Sequence, residues 1–391
     1  MTYQKLLLKK VYRNRLNLVP LLLMMIFLLV IYSGNRIRTY HHIQDPTYSG
    51  EKELEVVRQN ILMFQTELDN LDESDPLYEM IQKELQDAQQ KESALQQRLE
   101  AVERKDWKQY YESDLVLTKI QQEAISRHGE FHGFSEHMEV LRLDQEYAEY
   151  MMKNNLSYDG RFSASQGFSY MIQVINDYLP LLFTILLIFI ISKLYCSSFI
   201  EDIDMHSLIP IHGVKRQGIR LLVGMIIGIS IIFLIGFISI IYGWIGNTLG
   251  NINSPVLSYS LQGAVHYISF SSMFLKLLIL FSLSILFIVQ LVSIISTFAR
   301  KHILCLMITL VIIIGGMWVV KNIVPIYSIA HILPTTYLDS LKVISGELSF
   351  ITHNSSVHFL NGVIVLAVSN FLLFIVFYYL MKFRMKGVRS I

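Results

Sequence analysis

Residues 16–33 read LNLVPLLLMMIFLLVIYS, an apolar run that contains no charged side chain. A helix rises ~1.5 Å per residue, so a run of this length approaches the ~30 Å thickness of the hydrocarbon core of a bilayer. A polar block, residues 34–172, follows, and the chain then becomes apolar again. Five further apolar runs cover residues 174–192, 219–245, 269–297, 303–320 and 358–381. The predicted topology is therefore one span, a large polar insertion and five more spans.

The composition supports an integral membrane protein. Hydrophobic residues make up 52% of the chain and are concentrated in its second half, whereas a soluble protein would distribute them around one or two cores. The first run follows a basic segment, as in a signal peptide, but Ile31-Tyr32-Ser33-Gly34 offers no A-x-A-like cleavage site. We therefore expect a retained first span. The predicted fold class is an all-α integral membrane protein with six transmembrane helices.

The distribution of charge predicts the orientation of the spans. Residues 34–172 hold 15 Lys and Arg against 26 Asp and Glu, a net charge of −11. Basic residues instead collect before span one, between spans two and three, between spans four and five, and after span six. They are Lys5, Lys9, Lys10, Arg13, Arg15, Lys193, Lys215, Arg216, Arg220, Arg300, Lys301, Lys382, Arg384, Lys386 and Arg389. Because cytoplasmic loops are enriched in Lys and Arg, we expect both termini, including the basic tail 1–15, in the cytoplasm and residues 34–172 outside.

The 34–172 block has the pattern of long amphipathic helices. Apolar residues recur at spacings of three and four between Leu54 and Leu71, and again between Ile81 and Val102. The intervening Asp72-Glu73-Ser74-Asp75-Pro76 breaks the helix, and Pro76 suits the first turn of the next one. The pattern predicts an extracellular coiled-coil hairpin. It is typical of a rigid spacer, and it also allows contact with substrate or with an extracellular partner.

Motifs for chemistry within the chain are missing. The stretch HGEFHGFSEH, residues 128–137, is not HExxH, and its glycines disfavour a helix that would align two metal ligands. Solvated loop histidines are the simpler interpretation, and we expect no metal site. No G-x-x-x-x-G-K-[ST], GxSxG or paired Cys/His motif is present, so we expect no catalytic residue, no bound cofactor and no ATP binding of the P-loop kind. Nothing indicates binding to nucleic acid.

The loop between spans two and three, residues 193–218, carries the strongest functional pattern. Acidic residues lead into a short apolar stretch, then a proline, then a basic cluster that opens span three. The residues concerned are Glu201, Asp202, Asp204, His206, Ser207, Leu208, Pro210, Lys215 and Arg216. A short amphipathic segment with charges at both ends can fit a groove on a partner protein. The alternative is a connector along the membrane whose basic residues only follow the positive-inside rule.

With this loop, the chain resembles the permease subunits of type-2 ABC transporters. Those permeases have six spans, many carry an external domain after span one, and their loop between spans two and three contains a Glu, a small-residue–Leu pair, and a Pro followed by a basic residue. Here Glu201, Ser207-Leu208, Pro210 and Lys215 stand at matching positions, although His206-Ser207-Leu208 replaces the usual Gly-Thr-Leu and the Glu-to-Pro spacing is short. The topology covers the whole chain, and the degenerate motif covers about 25 residues.

The resemblance implies a set of partners. The loop would form the coupling helix that docks on a separate ABC ATPase subunit, present in two copies, which would bind ATP and Mg. A second permease chain, identical or related, would complete the pair in a bacterial cytoplasmic membrane. The class moves peptides, lipids, glycans or drugs. We expect an exporter of a peptide or another amphipathic or hydrophobic molecule, as in bacteriocin export or immunity.

Other interpretations are open at this point. A mechanotransmitting protein would use the motor to act through its extracellular coiled coil without cargo, and a membrane anchor or sensor would have no ATPase. An intramembrane charge is often functional, and Lys276 lies about two turns inside span four, with Asp177 at the outer start of span two as a partner. Because Lys276 is near the end of the span, we favour the interpretation that it extends its ammonium to the interface. A secondary carrier is disfavoured because few other charges lie within the spans.

Overall fold

The spans appear as helices in the computed structural model, which describes residues 3–128, 134–161, 163–200, 203–204, 213–260 and 264–388. Six helices among these residues are long and apolar enough to cross a membrane. They cover Arg15–Thr39, Gly167–Cys196, Lys215–Gly246, Phe270–Ala299, His302–Asn322 and Phe359–Leu380. Each contains or overlaps one of the predicted apolar runs, so the prediction of six membrane-spanning helices is confirmed.

The helices account for most of the chain. Their bounds are α1 Tyr3–Arg13, α2 Leu18–Asp69, α3 Pro76–Arg104, α4 Trp107–His128, α5 Phe134–Lys153, α6 Gly167–Gln173, α7 Leu179–Cys196, α8 Gly213–Gly246, α9 Phe270–Ala299, α10 His302–Asn322, α11 Val324–Tyr327, α12 Ser340–Ile344, α13 Glu347–Ile351 and α14 Phe359–Val388. A π-helical turn, Val174–Tyr178, joins α6 to α7 within span two. Short 3₁₀ turns cover Arg15–Asn17, Ala330–Ile332 and Pro334–Leu338.

Two antiparallel hairpins add strands that the all-α prediction did not include. Strand β1, Phe199–Ile200, pairs with β2, Ile203–Asp204, between spans two and three. Strand β3, Pro255–Tyr259, pairs with β4, Val265–Ser269, between spans three and four. The second hairpin leads directly into α9, so it sets the start of span four.

Spans two and four form the centre of the membrane bundle. In each of them 61% of the most apolar 18-residue window is buried within the chain, against 22% for span one, 28% for span five and 17% for span six. Helix α9 contacts α7, α8, α10 and α14. The large apolar surfaces of spans one, five and six are therefore left for lipid or for another chain.

Helix α2 is a single helix of 52 residues that begins in span one and continues far beyond it. Where it leaves the apolar run, three side chains one turn apart hold it to the segment before span two. The Tyr32 hydroxyl donates to the Ser165 carbonyl (3.3 Å), the Asn35 amide to the Ala164 carbonyl (3.1 Å), and the Thr39 hydroxyl to the Ser163 carbonyl (2.6 Å). Because all three are buried, this polar stripe anchors α2 to the segment before span two at the point where α2 leaves the bundle.

The outer part of α2 packs against α3 as an antiparallel helical hairpin. The Asp75 carboxylate accepts from the Leu77 N–H (2.9 Å) and Pro76 occupies the first turn, so α3 begins with a side-chain cap and a preset backbone angle. Val57, Ile61 and Leu95 form the buried seam. Three ion pairs run along its sides, namely Arg58–Glu92 (2.7 Å), Lys91–Glu53 (3.0 Å) and Arg98–Glu53 (3.7 Å).

Leu95 supplies a direct test of this seam. It is fully buried against α2, so Leu95→Ala should destabilise the hairpin by about 2–4 kcal/mol through lost burial and an unfilled cavity. Hydrogen exchange of the α3 amides should accelerate accordingly. The matched control is Leu62→Ala on α2, because Leu62 is 64% exposed and its truncation leaves no cavity. Equal exchange in the two variants would contradict the packing described.

Helices α3, α4 and α5 pack in sequence and return the chain to the membrane. Their core near the bundle is aromatic, with Tyr111 stacked on Tyr158 (6.4 Å between ring centroids) and Trp107 tilted against Tyr158 (5.6 Å). Burial raises the pKa of Tyr158 to about 12, with the negative charges of Asp159 and Asp114 adding to it. These phenols therefore stay neutral at physiological pH, and the cluster forms a rigid base under the hairpin.

Candidate functional site

The predicted docking segment lies between spans two and three. Helix α7 ends at Cys196, the β1–β2 hairpin follows, and α8 begins at Gly213. Asp204 lies in β2, with its Cα opposite that of Phe199. The remaining predicted contact residues before α8 lie outside the described residues, namely Glu201, Asp202, His206, Ser207, Leu208 and Pro210. The two predicted basic residues open α8, where Lys215 is exposed and Arg216 is buried.

Arg220 connects the two flanks of this segment. The sequence identified it only as one of the basic residues. Its guanidinium donates to the Tyr195 carbonyl (3.3 Å) and to the Ser198 hydroxyl (3.0 Å). The Tyr195 hydroxyl in turn donates to the Arg220 carbonyl (2.9 Å), and the guanidinium lies 5.0 Å from the centroid of the Tyr195 ring. These contacts are reciprocal and buried, so they hold the end of span two against the start of span three.

Helix α1 lies at the same end of the bundle. Tyr3 and Leu7 are buried in its core-facing side, while the Lys10 ammonium donates to the Ser197 carbonyl (3.1 Å). Burial and then the positive charge of Arg220 lower the pKa of Lys10. From the other side the Lys193 ammonium donates to Asn14 Oδ1 (3.2 Å). Lys10, Lys193 and Arg220 therefore form a collar of basic side chains at the end of the bundle where span two ends and span three begins.

Lys276 and Asp177 do not form the predicted intramembrane pair. Both residues are described, and no ion pair joins them. Lys276 lies on the exposed face of α9, with its ammonium 6.0 Å from the centroid of the Phe359 ring. Asp177 is exposed on the π-helical turn, where it accepts from the Asn176 amide (2.9 Å). The structure thus places Asp177 in a different setting, a cavity beside the first part of span two.

This cavity, of about 320 Å³, lies where α5 and the segment after it meet span two and the hairpin before span four. It is built from α5, residues 156–161 and 164–166, α6 and the π-helical turn, residues 251–259, strand β4 and the α12–α13 corner. Its ionisable lining residues are Asp159, Arg161, Asp177, Lys342 and Glu347, with Tyr147, Tyr259 and Tyr267. We call it the juxtamembrane cavity. Among these residues the sequence analysis singled out Asp177 alone.

Asp159 forms the floor of the juxtamembrane cavity. Its carboxylate accepts from the Ser165 N–H (2.7 Å), the Ser165 hydroxyl (3.0 Å) and the Gln166 N–H (3.3 Å). Burial raises the pKa of Asp159, and these hydrogen bonds oppose the rise in part. The carboxylate therefore holds residues 165–166 against Asp159, directly before span two.

Two ion pairs form the walls. Lys342 donates to Glu347 Oε1 (2.7 Å), and Arg161 pairs with Asp144. Burial acts to lower the pKa of Lys342, but the hydrogen bond and charge of Glu347, together with the charges of Asp339 and Asp177, raise it overall. Asp177 is thus close enough to interact electrostatically with the Lys342 ammonium.

Metal binding has no support in the described part of the chain, where no group of three His, Cys, Asp or Glu side chains is placed to hold an ion. Residues 129–133 of the histidine-containing stretch lie outside it. Comparison of the chain with protein-family models, curated proteins and solved structures gives no match. The class that the fold defines is a multi-pass membrane protein.

Proposed function

We propose that this chain is the permease subunit of an ATP-driven exporter of the type-2 ABC class, working with a separate ATPase subunit. The observation that carries the proposal is the layout of the helices. One span continues into a large polar helical region, five spans follow, and a short segment leaves the bundle between two firmly connected spans. The Tyr195–Arg220 contacts give that segment a stiff base, which a motor needs in order to move spans two and three together.

The orientation follows from charge. The collar of Lys10, Lys193 and Arg220 lies at the end of the bundle that also carries the other basic loops, so this end faces the cytoplasm and the ATPase. Residues 34–172 are then extracellular, and α2 and α3 form a coiled-coil hairpin there. The membrane would be a bacterial plasma membrane. Glu201 to Arg216 would contact the motor.

The exposed apolar surface of the bundle can contact a second permease chain. Spans one, five and six bury less than a third of their most apolar windows within the chain. Pairing of two chains along part of this surface would give twelve spans, with lipid covering the remainder. Closure of two ATPase subunits on ATP would then tilt the spans as rigid bodies and open an outward path for a peptide or another amphipathic molecule.

The mechanotransmitting alternative has its own supporting observation, the continuity of α2. A helix without a break between span one and the hairpin would carry motion to an extracellular partner without any cargo. Both functions need the ATPase. They differ in transport, so reconstituted vesicles that hydrolyse ATP without moving any peptide would favour the transmitter.

Co-purification tests the dependence on a motor. A tagged chain drawn from native membranes in mild detergent should bring with it a protein carrying a P-loop ATPase motif, and the complex should hydrolyse ATP. The double variant Glu201→Ala, Pro210→Ala should lose that partner while remaining monodisperse. Glu55→Ala, in the hairpin, removes one carboxylate far from the docking segment and should retain it. Absence of any ATPase with the unaltered chain would overturn the proposal.

A further inference from the structure

The juxtamembrane cavity has a charge balance that selects its ligand. Its lining holds three carboxylates, Asp159, Asp177 and Glu347, and two cations, Arg161 and Lys342. Arg161 pairs with Asp144 and Lys342 with Glu347, so each cation already has an acidic neighbour. The cavity as a whole is therefore acidic, and a positively charged group would be favoured in it over a neutral or negative one.

Asp177 is the carboxylate placed to meet such a group. The Asp159 carboxylate is committed to the Ser165 and Gln166 donors. That of Asp177 is exposed and accepts from the Asn176 amide. It also acts on the Lys342 ammonium through its charge, while Lys342 is paired with Glu347. The π-helical turn Val174–Tyr178 carries both Asn176 and Asp177, at the point where span two begins. Turns of this kind within α-helices are costly and occur often at functional sites.

Aromatic faces complete the lining. Tyr259 is held in place by stacking on Phe350, with 5.5 Å between ring centroids, and Tyr147 and Tyr267 meet edge to face at 5.4 Å. Burial raises the pKa of Tyr267 to about 12, so its ring stays a neutral phenol at physiological pH. Ammonium and guanidinium groups are attracted to such rings. A cation near Asp177 would thus find both a counter-charge and an aromatic surface.

The size of the cavity limits what enters. Its volume of about 320 Å³ lies at the lower end of ligand pockets, so it suits one residue of a peptide and not a folded domain or a lipid with its acyl chains. The polar block outside the membrane carries a net charge of −11 and would concentrate cationic peptides near the opening.

We propose that the juxtamembrane cavity binds one basic residue of a peptide through Asp177 and the face of Tyr259. The assignment of that peptide as exported cargo rests on the proposed function, whereas the binding itself does not require an ATPase. The ligand class is a primary ammonium or guanidinium on a short aliphatic stem, presented by an extended peptide.

Fluorescence anisotropy with the purified full-length chain in nanodiscs of neutral lipid tests the binding. The probe is an acetylated hexapeptide with lysine first, followed by leucine, alanine and glycine residues, and labelled with fluorescein at its carboxyl end. A second peptide replaces lysine with norleucine, which keeps the stem and lacks the ammonium. We expect the lysine peptide to bind about ten-fold more tightly or better, in keeping with a partly desolvated ion pair plus a cation–π contact.

Variants locate the site. Asp177→Asn should weaken the lysine peptide about ten-fold and Tyr259→Leu about five-fold, with little change for the norleucine peptide. Glu55→Gln removes the same unit charge from the acidic block 34–172, outside the cavity, and serves as the matched control. Thermal unfolding and gel filtration of each variant establish that it is folded. Equal binding of the two peptides, or unchanged affinity in Asp177→Asn, would overturn the assignment.

The two proposals fail separately. Binding of the lysine peptide by a chain that never captures an ATPase would remove the export function and leave the site in place. Capture of an ATPase by a chain that shows no preference for the lysine peptide would leave the export function in place and remove the site. Where both hold, the lysine peptide should stimulate ATP hydrolysis by the complex, and Asp177→Asn should abolish that stimulation without removing the ATPase.

Discussion

Replacement of Gly243 by alanine should destabilise the folded chain by about 3 kcal/mol or more, the largest effect expected of a single methyl group here. A Cβ at position 243 would lie 2.4 Å from both the Cα and the N of Gly167. The obstacle is backbone, and it cannot easily retreat, because the Gly167 and Phe168 N–H groups donate to the Thr248 and Leu249 carbonyls at 2.9 Å. Close approach of small residues is how spans two and three pack at their outer ends.

The matched control is Gly315→Ala in span five, where a Cβ meets no atom within 4 Å. Alanine is favoured over glycine in a helix by about 1 kcal/mol, so this variant should be neutral or slightly stabilised. The two substitutions are chemically identical and should shift thermal unfolding in detergent in opposite directions. A Gly243→Ala protein as stable as Gly315→Ala would show that α6 and α8 do not meet as described.

Asp159→Ala is expected to have the second largest effect. Removal of the carboxylate leaves the buried Ser165 and Gln166 N–H groups without their acceptor, at about 1–3 kcal/mol for each. Hydrogen exchange at these two amides should rise strongly, and thermal stability should fall. Asp72→Ala, at the exposed tip of the hairpin, is the control for loss of an aspartate. Unchanged exchange at Ser165 would contradict these hydrogen bonds.

The Asp159 carboxyl also predicts that the stability of the fold decreases as the pH rises. An aspartate whose carboxylate is stabilised by an ion pair gives the opposite dependence. Burial raises the pKa of Asp159 in the folded protein above the ordinary 3.8, so the folded state holds this proton more tightly than the unfolded chain. Its stabilising contribution is complete below pH 3.8 and is lost as the pH rises through the raised pKa. In Asp159→Asn this component should vanish, which unfolding curves measured at several pH values would reveal by difference.

Sequence periodicity predicted the elements whose stability is local. The apolar runs mark the six spans because a helix surrounded by lipid needs little more than length and hydrophobicity. The helix start at Pro76 was predicted from the preference of proline for the first turn, and the Asp75 carboxylate caps that same turn. Long helices in the external block were likewise visible from their repeating leucines.

Features that depend on distant contacts were not predicted. Gly34, Pro46 and Gly50 favour a break after span one, yet α2 runs through all three positions. Where α2 leaves span one, the buried side chains of Tyr32, Asn35 and Thr39 form tertiary hydrogen bonds. Helix propensity alone does not predict such contacts. The β3–β4 hairpin was also missed, although apolar and polar residues alternate in Leu257-Ser258-Tyr259 and in Val265-His266-Tyr267.

The two candidate sites differ in the same way, since one depends on local sequence and the other on distant contacts. The docking segment was found from a linear motif, and its role stays a prediction. The juxtamembrane cavity joins residues as far apart in the sequence as Tyr147 and Glu347, and no spacing rule connects them. Asp177 was paired with Lys276 in the sequence prediction because the two residues lie at similar depths in their spans. The sequence does not show which side of its helix each residue occupies, and the two do not face each other.

The hydrogen bonds of Tyr32, Asn35 and Thr39 hold α2 at one point along its length, which can act as a pivot. Measured from Asn35, the helix has an inner arm of about 25 Å to Leu18 and an outer arm of about 50 Å to Asp69, at ~1.5 Å per residue. A stiff rod on such a pivot reverses and doubles displacement. If the inner end of span one moves by about 2 Å, the tip of the hairpin swings by about 4 Å in the opposite direction. Small rearrangements among the spans would therefore become large ones at the most distant point of the molecule.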